Sequence, residues 1–213
     1  MTNPSPSMTA GNAPPGPTPA IHGVHHSARP IWKLAETLHF YRDVMGLPLV
    51  HAITARGWGR ADHPDFLHLF FDSGAGSAIA FFYYLGTNPP DYWQPEDTLL
   101  NRSVHTAWAA NTREELLAWR ARFESFGLEV LKVRHEVVES IYVTDPNGYM
   151  VEIAWQCRPF SPIDAIDARA TVDAALLAER EAAERGTTVR AIEPVWQAKA
   201  RLVRQTLEEG AAR

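Results

Sequence analysis

The stretch SIYVTDPNGYMVEIAW, residues 140–155, consists of two apolar runs joined by a short polar segment. That segment, Asp145-Pro146-Asn147-Gly148, favours a tight turn because proline presets φ and glycine tolerates a positive φ. The flanking runs, Ser140–Thr144 and Tyr149–Gln156, therefore predict two strands of a hairpin. The second strand carries Glu152, whose burial in an apolar strand costs several kcal/mol unless the carboxylate is paired or binds a metal.

This hairpin ends a pattern of one strand, one helix and three strands that occurs twice in the chain. The first copy predicts a helix over Ile31–Met45 and strands at Ile21–Pro30, Leu47–Thr54, Phe66–Asp72 and Ser77–Leu85. The second copy predicts a helix that Thr112 and Glu115 begin as a capping box, with strands at Ser103–Ala110, Leu128–His135, Ser140–Thr144 and Tyr149–Gln156. A doubled βαβββ unit predicts an α+β fold in which two sheets form an open, cupped barrel around a central cavity.

The domain organisation follows from shifts in composition along the chain. Residues 1–20 are rich in Pro, Ser, Thr, Gly and Asn and predict a disordered tail rather than a signal peptide. Residues 21–156 form the predicted paired domain, with modules at 21–86 and 103–156. Residues 158–213 are rich in Ala, Glu and Arg and predict a helical extension, with helices over about 164–185 and 190–209. Either the barrel or a second subunit is a candidate partner for these helices.

Overall composition excludes several classes of protein. The 213 residues are 46% hydrophobic and 21% charged, with a net charge of -5 and a pI near 6.0. No nucleic-acid partner and no membrane partner are expected, since there is no basic excess and no apolar run of about 20 residues. A single cysteine, Cys157, excludes a disulfide framework and a Cys-rich zinc site. A cytoplasmic protein is expected.

Two histidines and a glutamate occupy positions that predict a metal site. His26 and His105 lie on the first strands of the two copies, 20 and 22 residues before the helix-ending Gly46 and Gly127. Strand alternation places both histidines, and Glu152, beside alanines on one face. Two imidazoles and one carboxylate form the facial triad typical of Fe(II), although Zn, Mn or Ni fit the same ligands. Alternatively, His26 and His105 are core histidines held by hydrogen bonds, and Glu152 pairs with an arginine. The repeat favours the metal site, because the two histidines occupy equivalent positions.

The chain resembles the vicinal oxygen chelate superfamily, which includes glyoxalase I, extradiol ring-cleavage dioxygenases, fosfomycin-resistance transferases and bleomycin-binding proteins. The resemblance covers about residues 21–156 and rests on four stretches: Gly23–His26, Glu36–Leu47, Val104–Trp108 and Ser140–Glu152. It implies that His26, His105 and Glu152 are the metal ligands. It also favours His26 over His25, whose side chain is expected to point away.

The resemblance further bears on the type of reaction. Glyoxalase-type members add a carboxylate ligand on the fourth strand. The equivalent position here is Ala80, because Ala80 is four residues after Gly76 and Glu152 is four residues after Gly148. Alanine cannot bind a metal, which argues for a three-ligand member. The segment from Arg134 to Tyr142 resembles a segment of extradiol dioxygenases that supplies a histidine and a tyrosine near the metal. The resemblance implies that His135 is the acid–base catalyst and that Tyr142 donates a hydrogen bond to a substrate oxygen.

Three functions are consistent with these residues. The first is an Fe(II)-dependent extradiol-type dioxygenase that acts with O₂ on a catechol-like or vicinally oxygenated aromatic. Metal content and oxygen uptake best distinguish it from the other two. The second is a lyase, isomerase or transferase of the same fold with Mn, Ni or Zn, and the third is a resistance protein that only binds an aromatic. A homo-oligomer is expected. Candidates for the pocket lining are Trp58, His63, His68, Phe82 and Trp108, although aromatic residues in sheets more often form the core.

Overall fold

The computed structural model describes residues 21–58, 61–91 and 103–211. The predicted tail over residues 1–20 and most of the connector between the modules lie outside these residues. The described residues contain eight strands and four helices and divide into two compact units. The first unit comprises the described residues up to Val104 together with Thr144–Tyr149, and the second comprises His105–Val143 together with the described residues from Met150 onward.

Four strands form the mixed sheet of the first unit, in the order β1-β4-β3-β2. Strand β1 is parallel to β4, and the other pairs are antiparallel. One face of the sheet packs on the first helix, where the ring of Tyr41 lies 4.5 Å from Phe81 and 6.1 Å from Phe71. The other face bears His26 and is called the His26 face below. The strand bounds are β1 (His26–Ile31), β2 (Leu49–Ala55), β3 (Phe66–Gly74) and β4 (Ser77–Tyr84).

The first helix is shorter and more irregular than the sequence predicts. Helix α1 (Leu34–Leu38) continues directly as a π-helix (His39–Val44), in which the amide of Met45 donates to the carbonyl of Phe40, five residues back, at 2.8 Å. Strand β1 also starts later than predicted, at His26, and Gly23 before it has a φ of +108°, outside the range of a strand. Gly46 ends the helical segment with a φ of +71°, as predicted.

The second unit repeats this arrangement with a sheet in the order β5-β8-β7-β6. Strand β5 is parallel to β8, and β6 is antiparallel to β7. Thr112 caps the helix as predicted, since its hydroxyl accepts the amide of Glu115 at 3.1 Å, but the Glu115 carboxylate accepts the amide of Asn111 rather than that of Thr112. The elements are β5 (His105–Ala110), α2 (Arg113–Ser125), β6 (Leu131–Arg134), β7 (Val138–Thr144) and β8 (Met150–Gln156). The predicted repeat and the α+β class are thus confirmed.

The turn that joins β7 and β8 is held by buried polar contacts. Asp145 accepts the amides of Asn147 and Tyr149 on one carboxylate oxygen, both at 2.8 Å, and the hydroxyl of Tyr41 on the other at 2.9 Å. The Asn147 side chain forms three further hydrogen bonds, with the amides of Trp32 and Lys33 and the hydroxyl of Thr37. The turn residues predicted from the sequence therefore also anchor the segment that contains α1.

Two C-terminal helices, α3 (Pro162–Glu184) and α4 (Glu193–Ala211), follow the second sheet. They pack against each other through a small core of Ala174, Ala178, Val195 and Ala198. The salt bridges Lys199–Asp167 and Arg201–Glu181 join the same two helices. In the described part of the chain, no helix has the length and apolar character needed to cross a membrane.

Candidate metal centre

Neighbouring parallel strands of the second sheet bring His105 and Glu152 together. Ala107 on β5 pairs with Glu152 on β8. His105 is two residues before Ala107, so its side chain lies on the same face of the sheet. The Nε2 atom of His105 lies 2.9 Å from Oε2 of Glu152. The Glu152 side chain is 8% exposed, whereas that of His105 is 35% exposed. The buried carboxylate thus has an imidazole partner that solvent can reach.

This spacing fits two ligands of one metal ion. A neutral imidazole nitrogen and a carboxylate oxygen both bind divalent metal ions, at about 2.0–2.2 Å. At a separation of 2.9 Å, Nε2 of His105 and Oε2 of Glu152 could contact one ion together. Nε2 of His105 lies within hydrogen-bond distance of the carboxylate, and a divalent ion held by both groups would replace this contact. The residues therefore fit a metal, with His105 Nε2 and Glu152 Oε2 as donors.

Tyr142, on the neighbouring strand β7, completes this polar cluster. Its ring lies 6.2 Å from that of His105, edge to face, and its hydroxyl lies near the Glu152 carboxylate. Burial raises the pKa of Tyr142, and the nearby Glu152 charge adds to the rise. The phenol therefore stays protonated at neutral pH and can donate a hydrogen bond. The face that carries these residues is called the Glu152 face below.

The third predicted ligand, His26, lies at the start of β1 in the first unit and is exposed. Its ring is 5.4 Å from Phe70 and 6.3 Å from His68. Its Nδ1 atom lies 2.8 Å from Nδ1 of His25, so the expectation that His25 points away is wrong. This contact engages Nδ1, which leaves Nε2 as the His26 atom that would bind a metal.

The strand register confirms that Ala80 corresponds to Glu152. Ala80 pairs with Ala28, two residues after His26, and Glu152 pairs with Ala107, two residues after His105. The first sheet therefore has a histidine at the equivalent position but no carboxylate.

Among the described residues, no three His, Cys, Asp or Glu side chains are arranged to hold one metal ion. The structure brings His105, Glu152 and Tyr142 together in the second unit and places His26 in the first. The participation of His26 as third ligand accordingly stays a prediction.

His135 lies apart from the other predicted residues of the second unit. It is exposed at the tip of the β6–β7 hairpin, where its amide donates to the carbonyl of Val138 at 2.7 Å. Val138 is four residues before Tyr142 on β7, a distance of about 13 Å along the strand. The structure does not bring His135 into the cluster around Glu152.

The His26 face also carries His68, which the sequence predicts only as a candidate lining residue. His68 is 4% exposed, stacks on Phe82 with ring centres 3.7 Å apart, and approaches the carbonyl of Phe81 through Nδ1 at 3.2 Å. Burial lowers the pKa of His68, which favours the neutral ring with its proton on Nδ1. The 72-residue offset between Ala80 and Glu152 also relates His68 to Ser140.

The fold consists of two βαβββ units, and the second carries the His105–Glu152 pair. The protein is therefore an α+β protein with a candidate metal centre. The sequence model of the Glyoxalase/Bleomycin resistance protein/Dioxygenase superfamily matches residues 23–153, more than half of the chain. The chain belongs to this superfamily. A search of the curated proteins gave no match.

Several solved structures are similar to this chain. A lactoylglutathione lyase from Agrobacterium tumefaciens is 23% identical, with a TM-score of 0.46, over 63% of this chain and 94% of that one. A putative dioxygenase from Bacillus subtilis is 24% identical, with a TM-score of 0.47, over 63% of this chain and 40% of that one. A variant of the fosfomycin resistance protein FosX from Listeria monocytogenes, complexed with Mn(II) and 1S,2S-dihydroxypropylphosphonic acid, is 19% identical, with a TM-score of 0.45, over 66% and 96%.

Proposed function

We propose that this protein is an extradiol-type dioxygenase that holds Fe(II) with His26, His105 and Glu152 and cleaves a catechol-like aromatic with O₂. The observation that carries the proposal is the 2.9 Å separation of His105 Nε2 and Glu152 Oε2 beside the Tyr142 hydroxyl. A protein that only binds an aromatic has no need of a buried carboxylate matched to an imidazole. Ala80 removes the fourth ligand that a glyoxalase-type site uses, which favours an open site.

Bound Fe(II) would act as a Lewis acid toward two vicinal oxygens of the substrate and provide the redox chemistry that O₂ requires. Glu152 supplies one negative charge, which lowers the cost of holding a divalent ion in a partly buried site. Tyr142 donates its proton in a hydrogen bond to a substrate oxygen and thereby orients the ring. His135 is the proposed acid–base catalyst, on the ground of the resemblance to extradiol dioxygenases.

Metal-specific oxygen uptake tests this proposal. Full-length protein, purified without oxygen, is loaded with Fe(II), Mn(II) or Zn(II) in turn and mixed with catechol or naphthalene-2,3-diol. We expect the Fe(II) protein to consume one O₂ for each diol that disappears, with formation of a ring-opened product, and the Zn(II) protein to consume none. If a stoichiometric Fe(II) protein consumes no O₂ with either diol, the proposed reaction is wrong.

The substitution Tyr142→Phe tests the hydrogen bond to substrate. We expect kcat to fall about 100-fold, because a positioned donor in a partly buried site contributes that order of rate. The melting temperature should change little, since the phenyl ring fills the same space. Steady-state oxygen uptake and thermal unfolding measure both quantities, and an unchanged kcat would exclude the role given to Tyr142.

The substitution His135→Asn is the companion test. We expect kcat to fall by about 100-fold or more, because the asparagine side chain cannot transfer the proton. A change of less than threefold would show that another group carries the proton. The expected homo-oligomeric state and cytoplasmic location also stay predictions.

A further inference from the structure

The His26 face of the first sheet carries a continuous aromatic surface. Alternate residues of two antiparallel strands point to this face, and Phe66, His68 and Phe70 on β3 lie opposite Tyr84, Phe82 and Ala80 on β4. Trp58, from the loop after β2, packs edge to face on Phe66 with ring centres 4.6 Å apart. The aromatic surface is defined by Trp58, Phe66, His68, Phe70, Phe82 and Tyr84.

Ring contacts run through this surface without a break from His26. The ring of His26 lies 5.4 Å from Phe70, which lies 4.3 Å from His68. His68 stacks on Phe82 at 3.7 Å, and Phe82 lies 6.4 Å from Trp58. The surface is therefore continuous with the predicted metal ligand of this unit, and from Phe70 to Phe66 it extends about 13 Å along the strand. That length exceeds one aromatic ring.

The two units differ in side-chain chemistry at equivalent positions. Residues on the His26 face and on the Glu152 face correspond with an offset of 72 residues, as Ala80 does to Glu152. Where the first sheet has Phe66, His68, Phe70, Ala80, Phe82 and Tyr84, the second has Val138, Ser140, Tyr142, Glu152, Ala154 and Gln156. One face is thus aromatic, while the other carries the carboxylate and hydroxyl groups. At these six positions the second sheet has one aromatic residue, Tyr142, so the fold does not by itself require an aromatic surface there.

The surface is also uncharged along its length. Asp72 lies level with His26 at the edge of this face, but from Ala28 and Phe70 toward Trp58, β1, β3 and β4 contribute no Asp, Glu, Lys or Arg to it. A charged group placed there would lose its hydration without gaining an ionic partner, which costs several kcal/mol. An uncharged aromatic ring would stack on Phe82 and Trp58 and bury apolar area instead.

We propose that this aromatic surface binds an uncharged, fused or attached second ring of the substrate, beyond the two oxygens that chelate the metal. The proposal rests on the proposed function, which identifies those two oxygens as a diol. It adds a substrate class: bicyclic or aryl-substituted diols without a charged substituent on the distal ring. Trp58 forms one end of the site. Its side chain is 53% exposed despite its contact with Phe66, so a ligand can reach it.

The local backbone holds Trp58 in position. A Cβ atom on Gly57 would lie 2.0 Å from the carbonyl oxygen of His63, so only glycine permits this close approach within the loop. The ring of His63 in turn packs 5.7 Å from Phe66. Removal of the Trp58 side chain therefore empties a half-exposed position and leaves this backbone contact in place.

Binding of 2-naphthol to the full-length protein tests the inference without catalysis. This probe has two fused rings and one hydroxyl, so it cannot chelate a metal through vicinal oxygens. Calorimetric titration of the wild-type protein should show saturable binding, which Trp58→Ala weakens about tenfold. The matched control is Trp196→Ala, which removes an exposed tryptophan from α4 and should leave the affinity unchanged. Naphthalene-2-sulfonate, with the same rings and a charge, should bind at least tenfold more weakly.

A second variant, Phe82→Leu, extends the test to the centre of the surface and should also weaken binding, with thermal unfolding measured for every variant. No saturable binding of 2-naphthol, equal loss in the two tryptophan variants, or equal affinity for the sulfonate would each overturn the inference. Because 2-naphthol binding requires neither iron nor O₂, those outcomes would leave the proposed dioxygenase activity untouched. Conversely, failure of oxygen uptake with intact 2-naphthol binding would overturn the activity alone.

Discussion

Glu152→Gln is expected to lower the affinity for Fe(II) at least 100-fold and to abolish oxygen uptake. The substitution keeps the shape of the side chain but removes its charge, and the His105 N–H would then donate to a neutral amide oxygen. Loss of a group that merely orients a ligand costs about 10- to 100-fold in metal affinity, so loss of a ligand should cost at least the upper value. Anaerobic competition titration against a chelator of known affinity measures this change.

Glu139→Gln is the matched control. Glu139 is also buried, on the neighbouring strand β7, but it faces α2 and pairs with Arg113 and Lys132 rather than with His105. A hydrogen bond from Lys132, followed by one from Arg113, lowers the pKa of Glu139. The control should therefore lose thermal stability while it keeps its Fe(II) affinity within threefold. Tight Fe(II) binding by Glu152→Gln, or an equal loss in the control, would contradict the metal centre.

Local patterns were sufficient to predict most of the fold. The hairpin around Asp145–Gly148, the cap at Thr112 and the helix-ending glycines depend on residues close together in the sequence, and all three are confirmed. The repeat then predicted equivalent positions for Ala80 and Glu152, which the strand register confirms. These features could be predicted because turn chemistry and side-chain alternation act over a few residues.

Contacts that depend on packing could not be predicted in the same way. The π-helix at His39–Val44 adds one residue to the helical turn, and the apolar spacing of the sequence gives no sign of it. The Nδ1 contact of His25 with His26 contradicts simple alternation, because His25 precedes the first residue of β1. The packing of α3 on α4 through alanines likewise reflects which small side chains meet, and the sequence left that partner undecided.

The largest expected effect on stability is that of Asp145→Ala. Asp145 is 4% exposed and accepts hydrogen bonds from Asn147, Tyr149 and Tyr41, so its removal leaves buried donors without an acceptor. The free energy of unfolding should fall by about 3 kcal/mol. Asp72→Ala is the control, since Asp72 is exposed and accepts only the Gly74 amide at the turn of the first module, and its effect should be much smaller.

The isosteric substitution Asp145→Asn separates the charge from the hydrogen bonds. Burial, the largest cause, raises the pKa of Asp145 in the folded protein, although the Tyr149 amide and Tyr41 act in the opposite direction. The folded state then binds this proton more tightly than the unfolded chain, whose aspartates titrate near pH 3.9. The stability contributed by protonated Asp145 is present below that pH and is lost as the pH rises through the folded pKa. Urea unfolding of both proteins between pH 4 and 7 should therefore show the wild type losing stability relative to Asp145→Asn as the pH rises. A relative gain would mean that the hydrogen bonds outweigh burial and that the ionised carboxylate is the form the turn requires.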